Sequence, residues 1–331
     1  MSVPDVTVVI PTRNRAVLLQ TTVRSILAQR GVDLEVVIVD DGSSDEQASA
    51  IRRLRSDSVR TLRHDRSLGV AAARNAGALE ARAPWVAFCD DDDLWTPTKL
   101  ADQRTAAIES RRSWAYTGAV KFEEGPVVWQ VMPPPTPEDV HARLAEKCLI
   151  PAGASNVLVE RETLLQVGAF DESLGHMADW DLWLRLLEVG MPASAPGIGV
   201  AYRLHPGAMS LDPRGIMTEL EVLDARWKHA RGDVDLDPGP THLWIAMSWL
   251  RAGHRTRAAA SYLRAARTRP RAGLRGLLRS FHPHPPQPAH VIEPGGDRKS
   301  RFKQVQQVEL PEEMLRLLDD AGQAPTPAAT P

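Results

Sequence analysis

Four consecutive aspartates, Asp90, Asp91, Asp92 and Asp93, directly follow the apolar run 85–89. Adjacent carboxylates repel one another, and burying even one of them without compensation is costly. A divalent cation removes that conflict, and hard oxygen ligands favour magnesium or manganese. Because a few carboxylates cannot fill an octahedral shell, such an ion keeps positions for water and for substrate phosphates. The cluster therefore predicts a metal site that receives a phosphate-bearing ligand.

Aspartates at strand ends also have a structural alternative, because aspartate both forms turns and caps helices. For Asp40 and Asp41, which follow the apolar run 34–39, turn formation and ligand binding both stay open. For the cluster of four aspartates the structural alternative is weaker. Thr96, followed by Pro97, is expected to be the N-cap of the next helix, so the aspartates lie one turn too early to cap it.

The elements that must position these groups alternate regularly through the first hundred residues. Short apolar runs predict strands, and apolar residues at helical spacing predict the helices between them. The predicted strands are 6–10, 34–39, 59–62 and 85–89, and the predicted helices are 16–29, 44–54, 70–81 and a segment that begins at Thr96. This order predicts a parallel sheet covered by helices. Right-handed crossovers bring the strand ends, and with them residues 11–14, 40–43 and 90–93, to the edge where such sheets bind ligands.

Two common phosphate-binding motifs do not occur in the sequence. PTRNR, and not GxGxxG, follows the first predicted strand, which excludes a dinucleotide site of the Rossmann type. No GxxxxGK[ST] occurs either, which excludes a P-loop. The phosphates of a nucleotide are therefore expected to be held through the metal.

The bulk composition excludes further classes of protein. The 331 residues are 43% hydrophobic and 25% charged, as in a globular protein, and a net charge of −2 gives no general attraction for nucleic acid. Two cysteines, Cys89 and Cys148, do not make a disulfide framework and indicate a reducing compartment. The N-terminus lacks a signal pattern, and no apolar stretch reaches the roughly 18–20 residues that span a bilayer. We therefore expect a cytoplasmic protein, with any membrane contact peripheral and at the inner face.

The second half of the chain is more mixed. The predicted strands are 114–122, 127–131, 156–159 and 198–203, and the predicted helices are 137–148, 162–167, 179–188, 217–230 and two or three within 241–281. The proline-rich, polar residues 282–331 predict a disordered tail, apart from a short helix at 311–320.

Six motifs occur in a characteristic order. VVIPTRNR, VVIVDDGSSD, GVAAARNAG and FCDDDDLW stand in the first part, and ADWDLWLRL and YRLHPGAMS follow later. Over residues 4–211 the chain thereby resembles the family 2 glycosyltransferases. The resemblance implies the GT-A fold, an α/β fold in which a mixed, mostly parallel sheet is flanked by helices, here with a small C-terminal helical extension.

The resemblance also implies a division of the chain into domains. The GT-A glycosyltransferase domain is expected at 1–211, with a nucleotide-binding part at about 1–112 and an acceptor part at about 113–211. The helical extension is expected at 212–281 and the tail at 282–331.

The function that the resemblance implies is an inverting, metal-dependent transfer of a sugar from a nucleotide diphosphate sugar to an acceptor hydroxyl, with Mn²⁺ or Mg²⁺ as the cofactor. The residues that match the nucleotide-sugar site are Pro11, Thr12, Arg13, Asp41, Arg74, Asp90 and Asp91. Among these, Thr12 and Arg13 match the pocket of the base, and Asp41 matches a contact to the base. Asp92 matches the direct metal ligand, and His205 matches a position near the metal or the diphosphate. Asp93 is expected to face away or to brace the loop.

The general base comes from a motif that is only partly preserved. The family commonly carries Glu-Asp before its Trp-x-Leu-Trp-Leu-Arg run, where this chain has Ala178 and Asp179. The resemblance implies that Asp179 is the general base, and the structural alternative is a favourable charge at a helix N-terminus. Asp181 is expected on another side of the helix, and Arg185 as a buried structural partner. The missing acid at Ala178 leaves the positioning of the acceptor open.

The segment 238–292 contains no acidic residue but is rich in arginine. Its arginines are Arg251, Arg255, Arg257, Arg264, Arg267, Arg269, Arg271, Arg275 and Arg279. They are either solvated faces of packed helices or a surface, within 250–280, that docks on a lipid-linked acceptor phosphate or on an anionic membrane. Nucleic acid is not expected as a partner, because interleaved stacking aromatic residues are missing.

Two other functions stay open at this point. A sugar-phosphate nucleotidyltransferase would need a glycine-rich, lysine-bearing loop where residues 11–15 stand, and a non-catalytic nucleotide-sugar binding protein is favoured only by Ala178. The sequence names neither the base of the donor nor the acceptor. Uridine is implied by the resemblance alone, and the acceptor is a glycan, a lipid-linked saccharide, a small metabolite or a peptide.

Overall fold

The computed structural model describes residues 3–123, 127–204, 212–281, 290–291 and 312–322. Its strands are β1 (Val6–Thr12), β2 (Leu34–Asp40), β3 (Val59–Arg63), β4 (Trp85–Phe88), β5 (Leu94–Trp95), β6 (Trp114–Glu123), β7 (Val127–Met132), β8 (Leu158–Glu160), β9 (Ala193–Arg203) and β10 (His290–Val291). Its α-helices are α1 (Ala16–Leu27), α2 (Asp45–Arg52), α3 (Val70–Leu79), α4 (Lys99–Ser110), α5 (Pro137–Arg143), α6 (Arg161–Gln166), α7 (Ala178–Val189), α8 (Pro213–Trp227), α9 (Gly239–Arg251), α10 (Arg255–Ala265), α11 (Pro270–Phe281) and α12 (Glu312–Gly322).

The first half of the sheet is parallel, as its continuous apolar strands and intervening helices predict. β1 lies between β2 and β4, with Val6 opposite Leu34 on one side and Trp85 on the other, and β3 lies outside β2. The N–H of Asp41 donates to the carbonyl of Thr12 at 2.9 Å. The C-terminal ends of these strands therefore lie side by side, and the residues after them share one edge.

The second half of the sheet is mixed. β8 lies antiparallel between β4 and β6, and β7 is antiparallel to β6. β9 runs parallel to β6 and pairs with the short, antiparallel β5. The strand order is β10-β7-β6-β8-β4-β1-β2-β3, with β9 beside β6. The predicted mixed sheet flanked by helices is thus confirmed.

The predicted start of the helix after the aspartates is wrong. α4 begins at Lys99 with Thr98 in the N-cap position, whereas Thr96 donates its N–H to the carbonyl of Gly199 at 3.0 Å. The cause is tertiary, because the buried Leu94–Trp95 pair with β9 and keep the chain extended. Since a strand and not a helix follows the four aspartates, helix capping is not their role.

Two other boundaries also differ from the prediction for tertiary reasons. The helix expected at 137–148 ends at Arg143, and the carbonyl of Leu144 accepts a hydrogen bond from Trp180 Nε1 at 2.7 Å. The next strand begins only at Leu158, after a 3₁₀ turn. Between these two elements the chain contains only this 3₁₀ turn as regular structure.

The C-terminal helices confirm the predicted helical extension. α8 buries apolar residues in the same core as α7, and α9, α10 and α11 pack on one another. The helix expected at 311–320 is α12, which packs Met314 and Leu318 against Phe122 and Ile198 of the sheet. The remainder of the tail predicted to be disordered, apart from His290–Val291, lies outside the described residues. None of the helices in the described ranges is long and apolar enough to cross a membrane.

Candidate active site

A cavity of about 920 Å³ lies at the C-terminal edge of the parallel strands. The predicted site residues that line it are Pro11, Thr12, Arg13, Asp41, Arg74, Asp90, Asp91, Asp92 and Asp179. The last predicted site residue, His205, lies outside the described residues. The strand ends therefore meet as expected, and the start of α7 brings Asp179 to the same cavity from a distant part of the chain.

Asp91 is held inside the protein by the first strand and helix. Its Oδ2 accepts a hydrogen bond from Thr12 Oγ1 at 2.6 Å, and its carbonyl accepts one from Thr22 Oγ1 at 3.0 Å. The residue is only 5% exposed. Burial, together with the negative charge of Asp92, raises the pKa of Asp91 to about 7, although Arg15 and Thr12 oppose the shift. A nearby cation would therefore stabilise the deprotonated form of Asp91.

Arg15 provides a positive charge that the sequence analysis did not assign to the site. Its Nη1 lies 3.2 Å from Asp91 Oδ1 and 3.0 Å from Asp92 Oδ2, so that one guanidinium bridges two adjacent carboxylates. The only sequence signal is that PTRNR contains a second arginine, two positions beyond Arg13. Arg15 partly balances the cluster and limits where a metal can approach it.

Asp93 points away from the cavity. It is fully buried, and its Oδ1 accepts a hydrogen bond from the N–H of Arg203 at 2.9 Å. Burial, followed by the charges of Asp92 and Asp90, raises the pKa of Asp93 well above its usual value. The expectation that Asp93 braces the loop agrees with this contact, which fixes the aspartate loop to the end of β9.

Arg74 connects the acidic cluster with α7. Its Nη2 donates to Asp90 Oδ1 at 2.5 Å, and its guanidinium carbon lies 5.2 Å from the ring centre of Phe170. The side chain is almost completely buried. Asp90 is also fixed through its N–H, which donates to Ser155 Oγ at 3.0 Å. Since Arg74 also acts electrostatically on Asp179, one buried guanidinium influences both the cluster and the predicted base.

Both carboxylate oxygens of Asp41 form hydrogen bonds within the protein. Oδ1 lies 2.9 Å from the N–H of Leu68 and 2.8 Å from His64 Nδ1. Oδ2 accepts bonds from Ser67 Oγ at 2.6 Å and from the N–H of Gly69 at 3.0 Å. Burial alone would raise the pKa of Asp41, but these hydrogen bonds outweigh it and lower the pKa. A carboxylate has about four acceptor sites, so Asp41 holds the 64–69 loop that forms a wall of the cavity.

Asp40, by contrast, forms a turn. Its Oδ1 accepts a hydrogen bond from the N–H of Ser43 at 2.9 Å, and its Oδ2 accepts one from Arg63 Nη1 at 3.1 Å. Of the two alternatives for Asp40 and Asp41, turn formation therefore describes Asp40.

Asp179 stands in the first turn of α7 and faces the cavity. Its Oδ1 accepts a hydrogen bond from the N–H of Trp180 at 2.8 Å. Its Oδ2 lies against Gly153, where a Cβ atom would come within 2.6 Å of it. Burial raises the pKa of Asp179, and the positive charge of Arg74 opposes that rise. A partly desolvated carboxylate of this kind can accept a proton from a bound hydroxyl.

The loop before α7 is fixed by a residue that the sequence analysis missed. Glu219 in α8 accepts hydrogen bonds from the consecutive N–H groups of Gly175, His176 and Met177, at 2.9, 2.7 and 2.9 Å. No local motif signals this contact, because 43 positions separate Glu219 from His176. Glu219 therefore sets the path of the chain that leads into Asp179.

Asp181 lies on the opposite side of α7 from the cavity. It is fully buried and accepts hydrogen bonds from Arg185 Nε at 2.9 Å, Arg226 Nη1 at 2.8 Å and Trp227 Nε1 at 3.0 Å. The expectations that Asp181 faces elsewhere and that Arg185 is a structural partner are confirmed. The neighbouring Ala178 is buried in the core, so no second acid accompanies Asp179 at that position.

Two basic residues and the helical extension also line the cavity. Lys121 of β6 and Arg203 of β9 line it, and Arg203 Nε donates to the carbonyl of Asp92 at 3.0 Å. Burial, and then the positive charge of Arg251, lower the pKa of Lys121 to about 8. Around them, the extension contributes Leu236, Asp237, Pro240, Thr241 and Trp244 to the wall. None of these had been assigned to the site, since single residues on distant elements leave no motif.

The residues present fit a divalent cation that shares its coordination with a ligand. Among the described residues, no three His, Cys, Asp or Glu side chains lie close enough to hold a metal by themselves. Magnesium and manganese are commonly bound through one or two carboxylates, with substrate phosphates and water completing the shell. The cluster supplies hard oxygen donors, and a cation would oppose both the burial and the repulsion by Asp92 that raise the pKa of Asp91.

Two family models match the sequence. "Glycosyl transferase family 2" matches residues 7–152, and "Glycosyltransferase like family 2" matches residues 139–226. The two matches together span the cavity-lining strands, α7 and α8.

Similar proteins include two named bacterial glycosyltransferases. The chain is 27% identical over 208 residues to the UDP-Glc:α-D-GlcNAc-diphosphoundecaprenol β-1,3-glucosyltransferase WfaP of Escherichia coli, covering 62% of this chain and 79% of that protein. It is 28% identical over 211 residues to the putative teichuronic acid biosynthesis glycosyltransferase TuaG of Bacillus subtilis, covering 62% and 82%. It is also 42% identical over 98 residues to the succinoglycan biosynthesis protein ExoO of Rhizobium meliloti, covering 30% and 28%.

Solved structures share the fold. S. aureus TarS in complex with UDP-GlcNAc aligns with a TM-score of 0.52 at 15% identity, over 83% of this chain and 90% of that one. The mannosyltransferase PcManGT of Pyrobaculum calidifontis, in complex with GDP-Man and Mn²⁺, aligns with a TM-score of 0.52 at 22% identity, over 81% and 76%.

Proposed function

Because this chain belongs to the family 2 glycosyltransferases, and therefore uses a nucleotide-sugar donor, we propose that it inverts the anomeric carbon in a single, metal-dependent displacement. The observation that carries the proposal is the shared cavity, which brings together the acidic cluster and the separate carboxylate of Asp179, with Arg74 acting on both. One base and one leaving-group site on opposite sides of a sugar are what a single displacement requires.

In this proposal the nucleoside lies over the first strand ends. Pro11, Thr12 and Arg13 form its floor, and the 64–69 loop held by Asp41 forms a wall. Asp41 thus shapes the base pocket by holding this loop and does not itself bind the base, because its acceptor sites already have hydrogen-bond donors within the protein. Uridine is the proposed base, supported by the UDP-glucose in the name of WfaP and the UDP-GlcNAc bound to TarS.

The diphosphate is placed at the acidic cluster together with Mn²⁺ or Mg²⁺. Asp92 is the proposed direct ligand, and Asp90 and Asp91 complete the donor site beside it. When bound, the ion supplies Lewis-acid stabilisation of the charge that develops on the departing diphosphate. Support comes from the Mn²⁺ and GDP-Man in the PcManGT complex. Arg15 and Arg203 hold the aspartate loop in place for this role through the contacts described above.

Asp179 is the proposed general base. Its carboxylate accepts the proton of the acceptor hydroxyl as the oxygen attacks the anomeric carbon, and positioned bases contribute about 10²–10⁴-fold to such steps. The raised pKa supports the assignment, since a base whose pKa lies closer to the working pH is more effective. The hydrogen bond from Trp180 and the contact with Gly153 fix the orientation of the carboxylate.

The proposed acceptor is a lipid-linked saccharide that carries a diphosphate. Its support is the acceptor named for WfaP, together with the basic Lys121 on the extension side of the cavity. A growing glycan is the second candidate, because TuaG is named for teichuronic acid biosynthesis and ExoO for succinoglycan biosynthesis. In either case the product belongs to polysaccharide or glycoconjugate biosynthesis.

A donor screen tests the proposal. The purified protein is incubated with uridine, guanosine and thymidine diphosphate sugars, with and without Mn²⁺, and the released nucleoside diphosphate is measured. We expect slow, Mn²⁺-dependent hydrolysis of one class of donor, lost in Asp92→Asn and retained in the control Asp45→Asn, whose carboxylate is exposed outside the cavity. If no donor is hydrolysed, or if Asp92→Asn hydrolyses it at the wild-type rate, the proposal is wrong.

A further inference from the structure

The helix α11 packs closely on α10 through its smallest residues. Its buried positions are Gly273, Gly276 and Ser280. A Cβ atom at Gly273 would lie 2.5 Å from the backbone nitrogen of Ala266, and one at Gly276 would collide with the ring of Tyr262. The glycines therefore allow the helix backbone to approach α10, and of the leucines of α11 only Leu277 packs against the hydrophobic core.

The opposite face of α11 is apolar and exposed. Leu274, Leu278 and Phe281 are 52%, 73% and 74% exposed, and their spacing of four and three residues places them in one stripe. A helix that faced only water would carry polar residues there. The stripe is therefore a candidate interaction surface, which we call the α11 face and define as these three residues and the arginines beside them.

The arginines of the α11 face are Arg271, Arg275 and Arg279, each exposed and four residues from the next. α11 contains no acidic residue, and none of the three forms an ion pair with a described residue. They thus form a row of positive charge alongside the apolar stripe.

Two other arginines of the predicted docking segment 250–280 have partners within the extension. Arg257 lies over the ring of Trp249 at 4.7 Å, and Arg269 pairs with Asp237 at 2.5 Å. These arginines serve the packing of the extension, in line with the alternative of solvated or packed helix faces. Among the described helices, α11 exposes three large apolar side chains beside three arginines that form no ion pair with a described residue.

We propose that the α11 face binds the surface of an anionic lipid bilayer, with the helix lying in the plane of the interface. The occupant follows from charge complementarity, since an apolar stripe beside a row of arginines matches acyl chains beside anionic headgroups. A second copy of α11 fits poorly, because it would set one arginine row against another. A nucleic acid fits poorly as well, because Phe281 is the sole aromatic residue on the described face.

The position of α11 relates this surface to the cavity. α9 supplies Pro240, Thr241 and Trp244 to the cavity wall, and α10 and α11 pack on α9. Membrane binding through α11 would therefore hold the extension side of the cavity near the bilayer. This consequence rests on the proposed lipid-linked acceptor, whereas the binding itself does not.

Co-sedimentation of the full chain with lipid vesicles tests the proposal. We expect binding to phosphatidylcholine vesicles that contain phosphatidylglycerol, weakened by high salt, and little binding to phosphatidylcholine alone. Leu278→Ser with Phe281→Ser should weaken binding by about tenfold or more per side chain. Replacing the three arginines by glutamine should remove the preference for phosphatidylglycerol.

Matched controls come from exposed residues elsewhere. Leu27→Ser with Leu79→Ser changes two exposed leucines on α1 and α3, and should leave vesicle binding unchanged. All variants should keep the wild-type unfolding temperature and donor hydrolysis, since the replaced side chains are exposed and lie outside the cavity.

Three results would overturn the proposal: no binding of the wild-type chain to anionic vesicles, equal weakening by the α1/α3 control, or a wild-type dimer that Leu278→Ser with Phe281→Ser converts to a monomer. Donor hydrolysis without vesicle binding would contradict only the membrane proposal. Vesicle binding without donor hydrolysis would contradict only the proposed function.

Discussion

A substitution at Gly153 can displace the carboxylate of Asp179, the proposed base, without changing that residue. The residue adopts φ +52°, and a Cβ atom there would lie 2.6 Å from Asp179 Oδ2. Ordinary contact needs roughly 3.4 Å or more, so in Gly153→Ala the carboxylate must retreat by about 0.8 Å. A displacement of that size in a catalytic group costs about 10²-fold in rate. We therefore expect kcat for sugar transfer to fall by about 10²-fold.

The backbone cost of the same substitution has to be measured separately. An alanine in the left-handed region costs about 1–2 kcal/mol wherever it stands. Gly232→Ala is the matched control, because Gly232 has φ +61° and a Cβ there would meet nothing within 4 Å. Both variants should lose similar unfolding free energy, measured by denaturant titration, and only Gly153→Ala should lose kcat.

Donor affinity provides the third readout for this pair. Since the substitution acts on the acceptor side, the dissociation constant of UDP with Mn²⁺ should stay within about threefold of wild type in both variants. If folded Gly153→Ala turns over at the wild-type rate, the position of the Asp179 carboxylate does not matter and its assignment as base is wrong.

Three further substitutions test two residues that act on Asp179 or on the loop before it, and one buried residue outside the cavity. Glu219→Gln leaves one acceptor oxygen for three N–H groups, so we expect unfolding free energy to fall by about 1–3 kcal/mol and kcat by about tenfold, with UDP affinity unchanged. The value of kcat should rise with pH as Asp179 loses its proton, which gives the pH profile an acid limb. Because Arg74 lowers the pKa of Asp179, Arg74→Met should move this limb to higher pH. Burial lowers the pKa of Lys99 to about 7. Between pH 7 and about 10 the unfolded chain therefore binds more protons at this residue than the folded chain does. We expect the unfolding free energy of the wild type, relative to that of Lys99→Met, to rise with pH over this range by up to about 1.4 kcal/mol per pH unit.

Each of these three has an outcome that contradicts it. Equal kcat in Glu219→Gln and wild type would show that the loop at 175–177 does not position Asp179. An unmoved acid limb in Arg74→Met would place the titrating group elsewhere. A stability difference between Lys99→Met and wild type that is independent of pH would show that Lys99 keeps its charge, which its position 3.6 Å from the ring centre of Trp95 favours.

The sequence was sufficient for the parts of the site that depend on local pattern. Continuous apolar runs and helical periodicity predicted the strands that end at Thr12, Asp40 and Phe88, and parallel topology then brought the polar residues after them together. The resemblance added Asp179, which no periodicity could have placed in the same cavity.

The parts that failed depend on contacts between distant segments. Thr96 is not a helix cap because it is hydrogen-bonded to Gly199 of β9, about a hundred residues later, and because the preceding Leu94–Trp95 pair with the same strand. Arg15 and Glu219 escaped notice for the same reason, since an arginine near a strand end and a glutamate in a helix have no pattern of their own. The C-terminal end of α5 likewise depends on Trp180, whose Nε1 donates a hydrogen bond to the carbonyl of Leu144.

The most direct test of the central claim is a calorimetric titration of UDP into the protein with and without Mn²⁺, in the wild type and in Asp92→Asn. If the acidic cluster receives the donor diphosphate through a metal ion, UDP binds the wild type tightly only with Mn²⁺, and Asp92→Asn loses that dependence. If the wild type binds UDP equally well with and without Mn²⁺, or Asp92→Asn keeps the full Mn²⁺ effect, the claim is contradicted.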